Sequence, residues 1–353
     1  MADVILLDNP VLKYRKNSSV PVSVGAVARR IAGLLGGEMR ETEGTGNKAY
    51  HVPFAAVHAE LATARGIAGT GDLYGGVVRE HQHADKAILH LLPSVGAAHP
   101  TWYSPRFAEC VRDVVLPGYT AFTYEDVVDA FNLMRGDGFS VRLKDPANTG
   151  GLGQHLVHSS EQLAATMADY TGKLSKTGIV LEADLHGHAT VTIGYIDIAG
   201  VIYTWYGRPY DVDHEGMTRF GGNELTVVRG SLRELREHSV NPYDRLAIDQ
   251  AKCVFDAYSL LGTTVSRATL DAVQGTACDG TFMSGITDPS LRPSASSAAE
   301  IRAIEALVAN PGAAMAKTRL HYDYEKRAAR TPSQELFVSH SRMDILVELV
   351  DVA

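Results

Sequence analysis

The sequence predicts an α+β fold whose second half holds a mixed or antiparallel sheet, and three observations carry that expectation. Residues 4–7, 24–35 and 50–52 alternate strand-like and helix-like apolar spacing, which reads as a small α/β unit at the start of the chain. Beyond residue 178, strand patterns at 178–185, 189–193 and 201–206 follow one another with no helical pattern between them, which argues for antiparallel pairing rather than crossovers. Between these halves, Val141-Arg-Leu-Lys-Asp-Pro-Ala-Asn-Thr-Gly-Gly-Leu-Gly-Gln154 sets one lysine and a three-glycine turn directly after a short apolar strand.

The remaining elements follow in order. Residues 38–47 are polar and glycine-bearing, a loop, and 55–65 read as a helix. A helical start at Asp85-Lys86 precedes a turn-rich stretch at 99–105, a helix at 107–115 and an amphipathic helix at 124–134. After the glycine turn come a strand at 155–157 and a helix opened by Ser159 or Ser160, with Glu161 just inside it. A long helix at 244–261, strands at 268–273 and 281–286, and a helix from near Ser297 complete the body. Alternation at 344–352 marks an edge or closing strand. The expected division is 1–84, 85–185 and 186–353.

A chain of 353 residues can bury two or three cores. No apolar run approaches the ~18 residues of a membrane span, and the N-terminus lacks the basic flank of a signal peptide, so a cytoplasmic protein with no membrane partner is expected. A net charge of −8 argues against a nucleic-acid surface. Cys110, Cys253 and Cys278 are too scattered for a metal or redox pair. His81-Gln-His83 and His186-Gly-His188 bring no further ligand at a spacing that zinc would use. Small-molecule chemistry is what remains.

The lysine and glycine turn suit phosphate, because bare glycine backbone lets N–H groups approach anionic oxygens and the lysine adds a point charge. Two common phosphate loops do not fit. A Walker loop needs its lysine after the glycines, whereas Lys144 precedes Gly150, Gly151 and Gly153. A dinucleotide fingerprint fails at Gly69-Thr-Gly-Asp-Leu-Tyr-Gly75, which misses the third spacing. Further on, Asp271 and Asp288 stand seventeen residues apart around a turn at Cys278-Asp-Gly280, so a hairpin would bring both carboxylates to one end of the sheet. Taken singly, aspartates favour turns and caps; paired, they suit Mg²⁺. Arg292 is placed to hold a carboxylate or phosphate bidentately.

Lys144, the glycine turn, Glu182-Ala-Asp-Leu185, Asp271 and Asp288-x-Ser-x-Arg292 occur in an order that resembles the ATP-grasp superfamily. With Asp72-Leu-Tyr-Gly-Gly76, Lys86, Gly221-Gly222 and Ser290-x-Arg292, the resemblance is to uncharacterised bacterial ATP-grasp proteins loosely labelled biotin carboxylase, over about residues 72–307. It implies an ATP-grasp fold with an N-terminal α/β domain, a central lid and a C-terminal domain. It further implies that Lys86 and Lys144 contact ATP phosphates under the loop Gly150, Gly151, Gly153 and Gln154. Glu182, Asp184 and Leu185 would form the hinge against which adenine packs, and His188 falls where many relatives place an acid on the ribose. Asp271, Asp288 and Ser290 would hold Mg²⁺, with Asp288 and Ser290 where the superfamily usually has glutamate and asparagine. Pro293-Ser294 replaces the usual Gly-Gly.

The implied activity is an ATP-dependent ligase joining a small-molecule carboxylate to an amine through an acyl phosphate, with Lys144 and Arg292 as catalytic residues; homodimerisation is left open. One alternative takes bicarbonate as the acid, and since the chain lacks a Met-Lys-Met biotin-attachment sequence it would need a separate carrier. Another is a nucleotide-binding regulatory protein that has lost turnover, motivated by Asp288, Ser290 and His188. Specificity is assigned to the N-terminal domain and to loops such as 207–224.

Overall fold

The computed structural model describes residues 2–7, 20–40, 49–148, 152–170, 172–326 and 331–353. Its strands form four sheets among these residues. At the N-terminus, Asp3–Leu7 lies between Met39–Arg40 and Ala49–Pro53, all parallel, with Val20–Leu34 packed against it. The expected helix at 55–65 is shorter, Ala59–Ala64, because Val57–His58 pairs in parallel with Gly76–Val78.

The middle of the chain builds a four-stranded antiparallel sheet in the order Gly118–Ala121, Ile179–Ala183, Val141–Lys144, Gln154–Val157. Its helices start where the sequence signals them. Thr123 caps Tyr124–Gly136 by accepting from Asp126 N, and Ser159 caps Ser160–Met167 by accepting from Gln162 N. Val127, Ala130, Phe131 and Met134 recur at helical spacing and bury one face of the first helix against Leu143, Ile179 and Leu181.

The second half is an eight-stranded antiparallel sheet, in the order Phe282–Ser290, Arg267–Thr276, His186–Ile198, Val201–His214, Met217–Arg229, Met315–Asp323, Met343–Val352, Gln334–His340. Antiparallel pairing is as expected, but three readings are corrected. Residues 207–224, expected as a loop, belong to the long hairpin of Val201–His214 with Met217–Arg229. The closing strand is interior, because Gln334–His340 pairs outside it. Lys86 sits on a single 3-10 turn, Lys86–Ile88, rather than opening a helix.

Alternation along the strands gives this sheet two buried faces. Val191, Ile193, Leu270 and Ala272 pack against Ala247, Ile248, Ala251 and Val254 of helix Pro242–Ala257. Ile196, Ile198, Trp205, Leu225, Val227 and Leu320 pack against Ile301, Ile304 and Leu307 of helix Ser297–Ala309. Thr192 has the parity of Ile196, so Thr192 and its cross-strand partners lie on the second of these faces.

Candidate active site

The turn at Cys278-Asp-Gly280 joins Arg267–Thr276 to Phe282–Ser290, and the register pairs Asp271 directly with Asp288. A bulge beside Asp271 leaves Thr287 as the extra residue, so the two carboxylates share a face. One strand over, Thr192 pairs with Asp271 and donates to its Oδ1 at 2.6 Å. Burial pushes the Asp271 carboxyl up to about 6, and the neighbouring charge of Asp288 adds to the effect. Burial also raises Asp288, against the opposing pull of Lys86 and Lys144.

Both predicted lysines face this pair from other elements, and they are 3% and 6% exposed, which requires partners for their charge. Lys86 Nζ donates to the Asn148 carbonyl at 2.7 Å and lies 3.4 Å from Asp288 Oδ2. Lys144, the last residue of its strand, donates to Glu182 on the paired strand, and His90 Nε2 lies 3.0 Å from the other carboxylate oxygen. Burial alone would raise the Glu182 carboxyl, but Lys144 and His90 overcome it and hold the group below its usual range. The described ends of the connection that follows are held by Asp145: its N–H donates to Gly153 O at 2.9 Å, and its carboxylate accepts from Ala147 N at 3.0 Å and from Lys173 at 3.0 Å. Gly153 has φ +66°, and a β-carbon there would come within 2.4 Å of the Asn148 amide, so both conformation and space call for glycine. Gly150 and Gly151 lie outside the described residues.

The other predicted residues sit around this core. Gln154 and Asp184 both accept from Arg142, at 3.5 and 2.8 Å. Leu185 is buried with Leu116 and Ala277, and exposed His188 places Nδ1 3.1 Å from the Leu185 carbonyl. Arg292 is half-buried, with Nη1 donating to Pro293 O at 3.0 Å. Ser290 shares the strand of Asp288, and its buried Oγ has no hydrogen-bond partner among the described residues.

Several side chains of this site carried no sequence signal. His90 stands in an apolar run outside any strand, and its approach to Glu182, on a strand 92 residues away, leaves no local pattern. Asp85, which the sequence marks only as a helical start, caps the turn bearing Lys86 by accepting from Ala87 N at 2.9 Å, and burial pushes it up to about 8. Arg267, fully buried, donates to the backbone carbonyl of Arg292.

The donor set fits the groups that the sequence resemblance implied. Two facing carboxylates of raised pKa and an unpartnered hydroxyl are hard oxygen ligands short of a cation, which is the chemistry of Mg²⁺. Two buried ammonium groups beside a glycine hairpin suit a polyphosphate. A consequence is testable. Because the folded pKa of Asp271 is raised, the bare protein loses stability as pH climbs from about 4 through 6, while a cation competing for the carboxylate gains affinity over the same window. Calorimetric Mg²⁺ titrations should show affinity rising roughly tenfold per pH unit below about 6 and levelling above it; a flat profile from pH 5 to 8 counts against Asp271 as a ligand.

A family model described as "Protein of unknown function (DUF3182)" matches residues 13–346. No curated protein matches the chain. Solved structures do. The biotin carboxylase domain dimer of 2-oxoglutarate carboxylase from Hydrogenobacter thermophilus, in complex with MgADP, ADP and bicarbonate, matches 99% of this chain and 86% of its own at TM-score 0.57 and 12% identity. The biotin carboxylase β-γ-ATP complex from Campylobacter jejuni matches 99% and 87% at TM-score 0.57 and 10% identity. The N5-carboxyaminoimidazole synthetase from Staphylococcus aureus matches 99% and 93% at TM-score 0.54 and 10% identity. At such identities the likeness speaks to architecture: the chain has the α+β ATP-grasp fold.

Proposed function

The chain belongs to the DUF3182 family, and on its ATP-grasp fold we propose an ATP-dependent ligase that joins a small carboxylic acid to an amine. The observation that carries this reading is the convergence of two buried lysines on a register-paired Asp271 and Asp288, with Lys86 3.4 Å from Asp288. Such a set holds a metal and a polyphosphate side by side. The solved structures named above include a complex with MgADP, ADP and bicarbonate and a β-γ-ATP complex, which supports the proposal of such ligands here.

In this reading residues 1–84, 85–185 and 186–353 are the N-terminal domain, the lid and the C-terminal domain. Asp271, Asp288 and Ser290 hold Mg²⁺, while Lys86 and Lys144 neutralise phosphate oxygens and exchange their present partners, Asn148 O, Asp288 and Glu182, for the nucleotide. Bound ATP supplies a phosphoryl group that turns the acid into an acyl phosphate. Arg292 orients the acid and offsets its developing charge, and most of the acceleration comes from positioning and electrostatics. The hairpin around Asp145 and Gly153 excludes water. Glu182, Asp184 and Leu185 form the adenine hinge, with His188 at the ribose edge and Gln154 in the covering loop. Bicarbonate is one candidate for the acid.

The test is calorimetry with Mg·ATP followed by ADP release across carboxylic acids, bicarbonate included, paired with amines. Micromolar binding with ADP release for at least one pair is expected. Absence of Mg·ATP binding rules the reading out, and binding without release across the panel favours a nucleotide-binding regulator, in which Asp288 and Ser290 would be the departures responsible.

A further inference from the structure

Lys86 joins two parts of the site that lie far apart in the chain. Its ammonium donates to the carbonyl of Asn148, in the connection between the Val141–Lys144 and Gln154–Val157 strands, and it lies 3.4 Å from Asp288, one of the two metal-type acids. The backbone beneath it is fixed. Leu89 N donates to Lys86 O at 3.2 Å, Ala87 O accepts from Thr120 Oγ1 at 2.9 Å, and Ala87, Ile88 and Leu89 are fully buried. Any response to a ligand therefore belongs to the side chain, whose four-carbon stem lets the ammonium swing while the turn stays in place.

The contacts of that ammonium are incomplete. It has three donors, and among the described residues it makes one hydrogen bond, 2.7 Å to Asn148 O, and one ion pair. The ion pair, at 3.4 Å, is longer than the ~2.7–2.9 Å of a charge-assisted hydrogen bond. Lys144, by contrast, is bonded directly to Glu182. No other cation contacts Asp271 or Asp288 among the described residues, so in the free protein Lys86 supplies the positive charge that the facing carboxylates require. Asp288 keeps 31% of its side chain accessible, which leaves it open to a solute without unpacking the core. A divalent cation arriving alone must nevertheless displace the ammonium or sit against it, and like charges so close repel strongly where water is scarce. Phosphate oxygens lift that obstacle, because they offer Lys86 the short charge-assisted bonds that its present partners do not complete.

We propose that Lys86 is an internal stand-in for the metal, an autoinhibitory contact: without nucleotide its ammonium occupies Asp288 and fastens Asn148, and it leaves both for a nucleoside polyphosphate, so that Asp288 is open to Mg²⁺ only when nucleotide is present. The inference rests on the Mg·ATP reading above and adds to it the order in which the site fills. By linkage, nucleotide raises the affinity for Mg²⁺ by the same factor that Mg²⁺ raises the affinity for nucleotide.

The test is a thermodynamic cycle of Lys86→Met against nucleotide, read by calorimetric titration of Mg²⁺ at about pH 8 into protein alone and into protein saturated with ADP. Chelation of Mg²⁺ by free ADP is the same for both proteins and cancels in the comparison. Without nucleotide, Lys86→Met is expected to bind Mg²⁺ at least about tenfold more tightly than the wild type. With ADP bound the two should agree within about threefold, because the wild-type ammonium has by then left Asp288. Lys86→Gln, uncharged yet still able to donate to Asn148 O, should show the same split and takes the place of the methionine variant if that one does not fold. Hydrogen exchange reads the other contact: the Asn148 amide, bonded to Asp145 O at 3.2 Å, should exchange faster in Lys86→Met than in the wild type when no ligand is present. Three results overturn the inference while the wild type still binds Mg·ADP. An unchanged affinity for Mg²⁺ without nucleotide means that the ammonium bars nothing, equal tightening with and without ADP means that it never leaves, and equal exchange at Asn148 means that it fastens nothing. A wild type that binds no Mg·ADP refutes the nucleotide reading itself, and this inference with it.

Discussion

Replacing Glu300 by alanine is expected to lower the unfolding free energy by ~3–5 kcal/mol, a large share of the total stability of most domains. Arg267 and Glu300 are both fully buried, and the carboxylate accepts from Arg267, from Tyr74 OH and from Ser297 Oγ at 3.2 Å. Without Glu300 the guanidinium keeps its carbonyl and hydroxyl partners, Arg292 O and Ser294 Oγ at 2.6 Å, but loses its compensating charge. The cost therefore belongs to an uncompensated buried cation rather than to a lost contact. Two measurements separate these. Urea denaturation of Glu300→Ala should show the full loss, and the double variant Arg267→Met with Glu300→Leu should recover much of it, because a well-packed apolar pair removes both desolvation terms. A loss below ~1 kcal/mol in the single variant would contradict the geometry. The double variant carries a separate consequence for the site: Arg267 ties down the segment that presents Arg292, so it should be stable yet bind an acidic substrate more weakly.

That network shows where the sequence could be read and where it could not. The pairing of Asp271 with Asp288 was legible because a turn signal lies between two strand patterns; Gly280 has φ +87° and Ala277 N donates to Thr281 O at 2.9 Å across it. Lys144 and its hairpin were legible for the same reason, since strand, turn glycine and strand are all local. Residues 207–224 read as a loop because Arg208, Asp211, Asp213 and His214 interrupt the apolar alternation and Gly221-Gly222 looks like a turn. In the structure those glycines serve a bulge inside a strand, and the polar residues belong to the outer half of the hairpin, where little packs against them. Strand Met315–Asp323 escaped notice because its buried positions include Ala316 and Thr318, which carry almost no hydrophobic signal, while Lys317 and Arg319 face out. Arg267, Glu300 and His90 illustrate a different limit. A buried charge is defined by its partner, and partners that are many residues apart leave no spacing to recognise.

Lys144→Ala is expected to weaken Mg·ATP at least about a hundredfold, the effect of truncating one member of a desolvated charge contact with phosphate. The same substitution acts on the bare protein, because Glu182 is then left buried with His90 as its remaining partner, and stability should fall as well. The two effects need separating, since a poorly folded variant also fails to bind. Lys144→Met preserves volume, and combining it with Glu182→Gln removes the uncompensated carboxylate; this pair should recover most of the stability and none of the nucleotide affinity. The pH dependence supplies an independent check. In the wild type, Lys144 and His90 hold the Glu182 carboxyl below its usual range despite burial, so this group contributes stability above its unfolded pKa that is lost as pH falls through the folded one. In Lys144→Met the carboxyl should rise instead, and the stability maximum should move to lower pH. A Lys144→Met protein that keeps wild-type affinity for Mg·ATP would remove the lysine from the site, and the reading would then have to rest on Lys86 alone, whose ammonium is already committed to Asn148 and Asp288.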